Sequence, residues 1–353
     1  MDSIYYERMG TFPYFTKEML LIKTTIIDVA KEAGVSKSTV SRVIRGDITS
    51  VREDTRKRVQ EAIRKTGYKQ NALASGLRTK RTHTVLLMIP DIVNPFWPEV
   101  ARGVQDALRK EGYAVVLANS DWDGTIETDF LHRARTHCFD GIVINPARVT
   151  DQQLLQIGIP TVILGLHEDF PSFDSVGNDT LAGVRLAMQH LYDLGHRKIG
   201  LISGQYASRG RSARLKQYLS FLSDQNLIIE ENDIVHCPYG QHHGYEAAKR
   251  LINQNHPPSA IFASNDILAI GALQALHAAG VRVPQDLSLI GMDDIYPASV
   301  TTPPLTTIAK FKYEEGREAA RMLIDRIDRQ TSKHPKTITF APQLIIRGST
   351  KPY

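Results

Sequence analysis

Apolar residues recur with helical spacing in the first part of the chain and as short unbroken runs after it. Ile26, Val29, Ala30 and Ala33 stand at i, i+3, i+4 and i+7, which lines one face of a helix. Thr25 followed by Asp28 is a capping pattern, and Gly34 can take the left-handed conformation that ends a helix. Val40, Val43 and Ile44 give a second short helix its apolar face, with Ser36 as cap. Two short helices joined at a glycine form a helix-turn-helix. Val59, Ala62 and Ile63 mark a third helix over residues 54–64. Its start is open between a Ser50–Glu53 capping box and a beginning near Arg52. Residues 71–77 read either as a plain linker or as a marginal helix that folds only against a partner.

From Thr84 onward the period changes. Apolar runs at 85–89, 113–118, 141–144 and 162–164 are followed by runs at 198–202, 260–263 and 287–290. They are bounded by Gly, Pro and Asp and separated by helical stretches, the pattern of parallel sheets covered on both faces. A final long helix is expected over 311–329, before a strand at 337–340. Two successive open α/β sets predict two lobes with a cleft beyond the carboxyl ends of the strands. The expected fold is therefore a small all-α helix-turn-helix head on an α/β body.

Composition narrows the function. With 353 residues, 42% hydrophobic and 23% charged, the chain suits two or three domains and not global disorder. No run of apolar residues is long enough to cross a membrane, and residues 1–22 lack a secretory pattern, so a cytoplasmic protein with a peripheral amino-terminal extension is expected. Cys138 and Cys237 are isolated, which makes neither a disulfide scaffold nor a zinc set. The net charge of +5 is unevenly spread. Residues 23–81 hold 15 Lys and Arg against 6 Asp and Glu, whereas residues 82–353 hold 26 against 29. A basic module that carries a helix-turn-helix points to a polyanion. Lys37, Ser38, Ser41 and Arg42 fall on the outside of the second helix, where Arg or Lys can reach guanine and hydroxyls suit phosphates. No GxGxxG follows the first strand, and GxxxxGK[ST], HExxH and GxSxG are missing, so neither an enzyme nor a cofactor is expected. The adjacent His242 and His243 diverge by about 100° on a helix and read as surface or cap residues, not as metal ligands.

The run from Thr25 to Arg42, with Thr55-Arg-Lys-Arg-Val59, Gly67-Tyr68, Asn71, Ala74 and Leu77, resembles the lactose-repressor-like (LacI/GalR) bacterial transcription regulators. The resemblance continues through Asn94-Pro-Phe96, Gly195-His-Arg-Lys-Ile199, Asn265-Asp266, the run from Ser288 to Asp293, and Pro304-Leu-Thr-Thr-Ile308. It implies that the second helix enters the major groove. Lys37 and Ser38 are then the variable reading pair and Arg42 the reading arginine, with Thr25, Ser36, Thr39 and Ser41 as further DNA contacts. Asn71, Ala74 and Leu77 fall on hinge helices that pair in the minor groove, with Leu77 as the wedge. Arg45-Gly46, Arg52, Gln70 and Ser75 depart from the family pattern.

For the body the resemblance implies a two-lobed fold like the periplasmic sugar-binding proteins, crossed three times near Asn178, Ile308 and Lys336. The segments are then a 1–22 extension, a 23–68 head, a 69–82 hinge and an 83–349 body. Lobe 1 takes about 83–177 plus 309–336, and lobe 2 about 178–308 plus 337–349. Matching positions put Phe96, Leu166, Arg214, Tyr239, Asn265, Asp266 and Asp293 at an effector cleft, with Asp123 and Arg209 in neighbouring loops. On their own chemistry Phe96 is also compatible with the core and Asp266 with a helix cap. A forked guanidinium and a carboxylate suit the vicinal hydroxyls of a sugar, and aromatic rings suit its C–H face. The implied protein is a homodimeric regulator, most naturally a repressor, that binds an inverted-repeat double-stranded DNA operator under control of a carbohydrate. Alternatives are a purine- or phosphocarrier-responsive corepressed regulator and a sugar-binding transport component.

Overall fold

Three helices close the head around one small apolar face. In a computed structural model, the described residues are 24–44, 46, 50–68, 81–166, 168–204, 213–228, 230–328 and 334–353. The chain divides into two units, residues 1–80 and 81–353. In the first, α1 (Ile26–Ala33), α2 (Lys37–Ile44) and α3 (Glu53–Thr66) bury Val29, Val40 and Val59 completely, with Ala30, Ala33 and Ala62 beside them. Thr25 and Asp28 form a reciprocal capping box, and Gly34 closes α1 at φ 60°. Arg58 Nη2 donates to the Ala33 carbonyl at 2.6 Å, which places a cation at the negative end of α1. Arg52 stands at the cap position of α3 and its side chain makes no capping bond, so the helix begins later than a Ser50 cap would set.

The second unit contains two parallel sheets. Strands β1 (Thr84–Ile89), β2 (Ala114–Asn119), β3 (Gly141–Ile144), β4 (Thr161–Leu164) and β5 (Asp174–Asn178) alternate with α4 (Phe96–Lys110), α5 (Gly124–Thr136) and α6 (Asp151–Ile157). The chain then passes through α7 (Thr180–Asp193), β6 (Ile199–Gly204), α8 (Ala213–Asp224), β7 (Ile234–Cys237), α9 (Gln241–Ile252), β8 (Ala260–Ala263), α10 (Asp266–Ala278) and β9 (Ser288–Ile290). It ends with α11 (Tyr296–Ser299), β10 (Thr307–Ala309), α12 (Lys312–Ile327), β11 (Thr337–Phe340) and β12 (Gln343–Ile345). The first sheet has the order β11-β5-β4-β3-β1-β2 and the second β7-β6-β8-β9, while β10 and β12 pair antiparallel.

One boundary differs from expectation. Strand β11 pairs with β5, Ile338 opposite Val176, so it completes the sheet of lobe 1. The third crossover therefore falls between Phe340 and Gln343 and not near Lys336. A β-branched run shows a strand but not which sheet receives it. Strands β5 and β7 also carry weak sequence signals. Asp174-Ser-Val-Gly-Asn178 is nonetheless fully buried, and the Asp174 carboxylate is held by Arg326 from both oxygens at 2.6 Å. Tertiary contacts override local propensity there.

Each lobe is clamped by a pair of helices that touch through glycine. A Cβ on Gly103 of α4 would strike the Tyr313 carbonyl oxygen, and one on Gly316 of α12 would strike that of Val100. In the other lobe, a Cβ on Gly244 of α9 would strike the Leu268 carbonyl, and one on Gly271 of α10 that of Gln241. These backbones pack at a distance only glycine permits.

Two passages of the chain are pinned to each other on the lobe 1 side of the crossovers. Asn178 ends β5; its Nδ2 donates to Glu315 Oε2 of α12 at 2.6 Å, and its Oδ1 accepts from the Phe311 N–H at 2.8 Å. Burial pushes the Glu315 carboxyl up to about 7, against the pull of Lys310 and of the Asn178 hydrogen bond. Replacing Gly271 with Ala is expected to lower the unfolding free energy by about 1–3 kcal/mol in urea denaturation, as overpacking does; an unchanged midpoint would show that α9 and α10 can separate freely. The raised Glu315 carboxyl contributes stability that is fully present below its ordinary value near 4.5 and is lost as pH rises through about 7. The stability of the protein relative to its Glu315→Gln variant should therefore fall between pH 5 and pH 8; a constant difference would show that the carboxyl titrates normally.

Candidate functional sites

The exposed face of α2 collects polar groups over a sealed core. Ser36 Oγ accepts the Thr39 N–H at 3.1 Å and lies 2.7 Å from Ser38 Oγ and 2.9 Å from Thr39 Oγ1, a hydroxyl cluster at the helix amino terminus. Ser36, Lys37, Ser38 and Arg42 are exposed, and Thr39 and Ser41 are half-buried. Ser38 and Arg42 are one helical turn apart and share a face. The amino terminus with its hydroxyls suits phosphate, and the arginine suits a base edge. Thr25 is exposed, but its hydroxyl donates to Asp28 at 2.7 Å and so belongs first to the cap. Asn71, Ala74 and Leu77 lie outside the described residues, as do Arg45, Gln70, Ser75 and Arg209.

The second site follows from sheet topology. In a parallel sheet all carboxyl ends lie on one edge, and the crevice opens where successive crossovers leave in opposite directions. In the first sheet that point lies between β1 and β3, and in the second between β6 and β8. The loop after β1 delivers Phe96, which is 8% exposed and packs edge-to-face on Trp97 at 4.9 Å. The segment after β2 delivers Trp122, whose ring stacks on Tyr239 of the other lobe, 6.3 Å apart at 19°. Tyr239 lies flat over Gly204 at the end of β6, where any side chain would strike the ring. Arg214, second residue of α8, donates from Nη1 to Tyr239 Oη at 2.7 Å, and its buried Nε has no hydrogen-bonding partner among the described residues. Asp293, after β9, has a φ of 120°, a conformation that residues with a Cβ rarely adopt. Its Oδ1 lies 3.0 Å from Lys310 Nζ, and that nitrogen lies 5.5 Å from the Phe96 ring centre.

The structure thus brings Phe96, Arg214, Tyr239 and Asp293 to one place and leaves three expected residues aside. Leu166 is exposed after β4, beside Gly177, and no described contact joins it to this group. Asn265 Oδ1 accepts the Leu268 N–H at 2.9 Å and caps α10. Asp266, expected at the cleft, is a buried structural group. Its Oδ1 accepts from Thr307 Oγ1 at 2.6 Å and its Oδ2 from the Ile295 N–H at 3.0 Å. Burial, with Asp293 nearby, pushes that carboxyl up to about 7. Asp123 caps α5 through the Thr125 N–H.

Two residues that sequence reasoning missed complete the cleft. Trp122 sits in a loop with left-handed backbone at Asp121 and Trp122, a signal visible only in the fold. Lys310 follows β10 directly. Burial lowers its affinity for a proton while Asp293 raises it, and the direction is downward. A single lysine after a strand gives no hint in sequence that two lobes will bury it.

These two sites can be set beside known proteins. Residues 25–71 match the bacterial regulatory proteins of the lacI family, and residues 188–350 match the periplasmic binding protein-like domain. The HTH-type transcriptional regulator DegA of Bacillus subtilis is 34% identical over 337 residues, covering 94% of this chain and 99% of that protein. The ribose operon repressor of Escherichia coli is 35% identical over 331 residues, covering 92% and 99%. Among solved structures, a Lac repressor dimer bound to operator and the anti-inducer ONPF superposes with a TM-score of 0.83 at 25% identity, over 93% of this chain and 99% of that one. A complex of the transcriptional regulator CelR with cellobiose superposes at 0.69 with 30% identity, over 92% and 99%. A helix-turn-helix head, a two-sheet body and relatives aligned almost end to end all lead to one assignment: the chain belongs to the lacI family of bacterial regulatory proteins and is a DNA-binding regulator of transcription.

Proposed function

We propose that the protein is a homodimeric repressor whose grip on an inverted-repeat operator is released by a small sugar bound between its lobes. It acts in the cytoplasm; among the described residues no helix is long and apolar enough to cross a membrane. In this reading Lys37, Ser38 and Arg42 read base edges, and Thr25, Ser36, Thr39 and Ser41 meet phosphates. Asn71, Ala74 and Leu77 carry the hinge into the minor groove. At the cleft, Arg214 and Asp293 hold the polar edge of the ligand, and Phe96, Trp122 and Tyr239 cover its apolar face. The relatives support the ligand class: one is named a ribose operon repressor, and one solved regulator holds cellobiose.

One observation carries the reading. Groups suited to a polyol come from both lobes and meet beside Lys310, where the chain crosses between them. A ligand that touches both lobes favours one of their arrangements over another, and by linkage that preference also acts on DNA affinity.

Selection of duplexes from a random pool by the whole protein is expected to enrich an inverted repeat, and enrichment of single half-sites alone would oppose a dimer. Changing Arg42 to Ala should weaken binding to the selected duplex by about tenfold or more while non-specific binding falls far less, as loss of a base contact does. Equal losses would place Arg42 on phosphate. Changing Asp293 to Asn should cut affinity for the releasing sugar by about tenfold or more, with operator binding in its absence unchanged. Loss of both would make Asp293 a structural residue.

A further inference from the structure

Three cations grip one dipeptide at the cleft. Asp293 and Asp294 follow β9 with φ of 120° and 52°, two successive residues in the left-handed region. Such backbone persists only where the surroundings over-determine it. Here the carboxylates and the carbonyls have different holders. Asp293 Oδ1 faces Lys310 Nζ at 3.0 Å, and Asp294 Oδ1 accepts from Arg347 Nη2 at 2.6 Å. Both carbonyls accept from Lys312 Nζ, at 3.0 Å for Asp293 and 2.9 Å for Asp294. In an extended strand successive carbonyls point to opposite sides, whereas this turned backbone gives both to one ammonium. An ammonium has three donors and suits such a pair of acceptors. The Lys312 side chain is 5% exposed and also faces Glu99 of α4 at 3.4 Å.

Lys312 reaches these carbonyls from the opposite lobe. It is the first residue of α12, which is locked on α4 through Gly103 and Gly316. Helix α4 in turn opens with Phe96, a wall of the cleft. Close-packed backbones of this kind transmit displacement instead of absorbing it. One ammonium therefore joins the helix pair that carries Phe96 to the backbone that carries the Asp293 carboxylate. The other two cations do not make that link. Arg347 follows β12 and stays within lobe 2, and Lys310 lies on the crossover itself.

We propose that Lys312 is a positioning residue for the effector: from lobe 1 it holds the Asp293–Asp294 backbone in its left-handed form, and so sets where the Asp293 carboxylate stands against the Phe96 ring. Without the ammonium the two carbonyls lose their charged donor, and the backbone relaxes toward an ordinary conformation. The carboxylate then turns away from the direction in which it meets a ligand hydroxyl. The proposal rests on the reading of the cleft as the effector site.

The first test needs no ligand. Hydrogen exchange of the whole protein is followed by mass spectrometry in the unaltered chain and in Lys312→Met, which keeps the apolar stem and removes the donors. The Asp293 and Ile295 amides donate to the Ile308 carbonyl and to Asp266 Oδ2, so their exchange reports the loop. It is expected to quicken by about tenfold or more in Lys312→Met, while β1 and β3 exchange as before. Unchanged exchange in the loop overturns the proposal, and equal acceleration throughout the body makes Lys312 a merely structural residue. If Lys312→Met does not fold, Lys312→Gln carries the same comparison. The second test is calorimetric titration with D-ribose and with cellobiose. A sugar that binds the unaltered protein should bind Lys312→Met about tenfold or more weakly and Glu99→Gln about equally, because the carbonyls still hold the ammonium there. Equal affinity in Lys312→Met overturns the proposal and leaves the sugar reading standing. Binding of neither sugar to the unaltered protein counts against the sugar reading, and the exchange comparison then decides for Lys312.

Discussion

An ammonium buried between lobes is the constraint on which the body of this protein depends. Lys310 sits directly after β10 on a chain crossover and faces Asp293 from the loop after β9. Glu315, one turn into α12, and Asn178, at the end of β5, extend the cluster into the other lobe. Isolated burial of any of these charges would be costly, and here each lies beside an opposite charge or a hydrogen-bonding partner. The relation between the lobes is thus tied to electrostatics at the base of the cleft. Anything that binds Asp293 or Arg214 alters the same balance.

The rest of the architecture serves to place those groups. Parallel sheets send all their carboxyl ends to one edge, so Phe96, Trp122, Tyr239 and Asp293 arrive from four separate strands. Helix pairs held at glycine contact, α4 with α12 and α9 with α10, keep each lobe stiff. Stiff lobes joined at charged crossovers are the kind of element that hinge-type switching uses. The strained backbone of Asp293 lies at the same spot, and strain of that kind persists where the surroundings over-determine it.

Much of this was legible from the chain alone. The apolar spacing of Val29, Val40 and Val59 gave the head, and unbroken runs such as Val85-Leu-Leu-Met-Ile89 gave the strands. Arg214, Tyr239 and Asp293 were expected together because their positions match a family pattern, and the structure places them near one another. What escaped was information that exists only between segments. Thr337-Ile-Thr-Phe340 reads as a strand, but only pairing with β5 assigns it to lobe 1. Asp266 looks like a ligand group until Thr307 and Ile295 engage its oxygens. Trp122 and Lys310 are ordinary residues in sequence and become cleft residues because the other lobe covers them.

Whether Lys310 holds the lobes in register can be read from Trp122. Its ring is half-buried and stacked on Tyr239 across the cleft, so its exposure reports the separation of the lobes. The most direct measurement is acrylamide quenching of tryptophan fluorescence in the unaltered protein, in Lys310→Gln and in Lys310→Arg. The expected result is stronger quenching and red-shifted emission in Lys310→Gln, with Lys310→Arg close to the unaltered protein. Identical quenching in all three, with all three folded, would mean that Lys310 does not set the register of the lobes and would place the hinge constraint elsewhere.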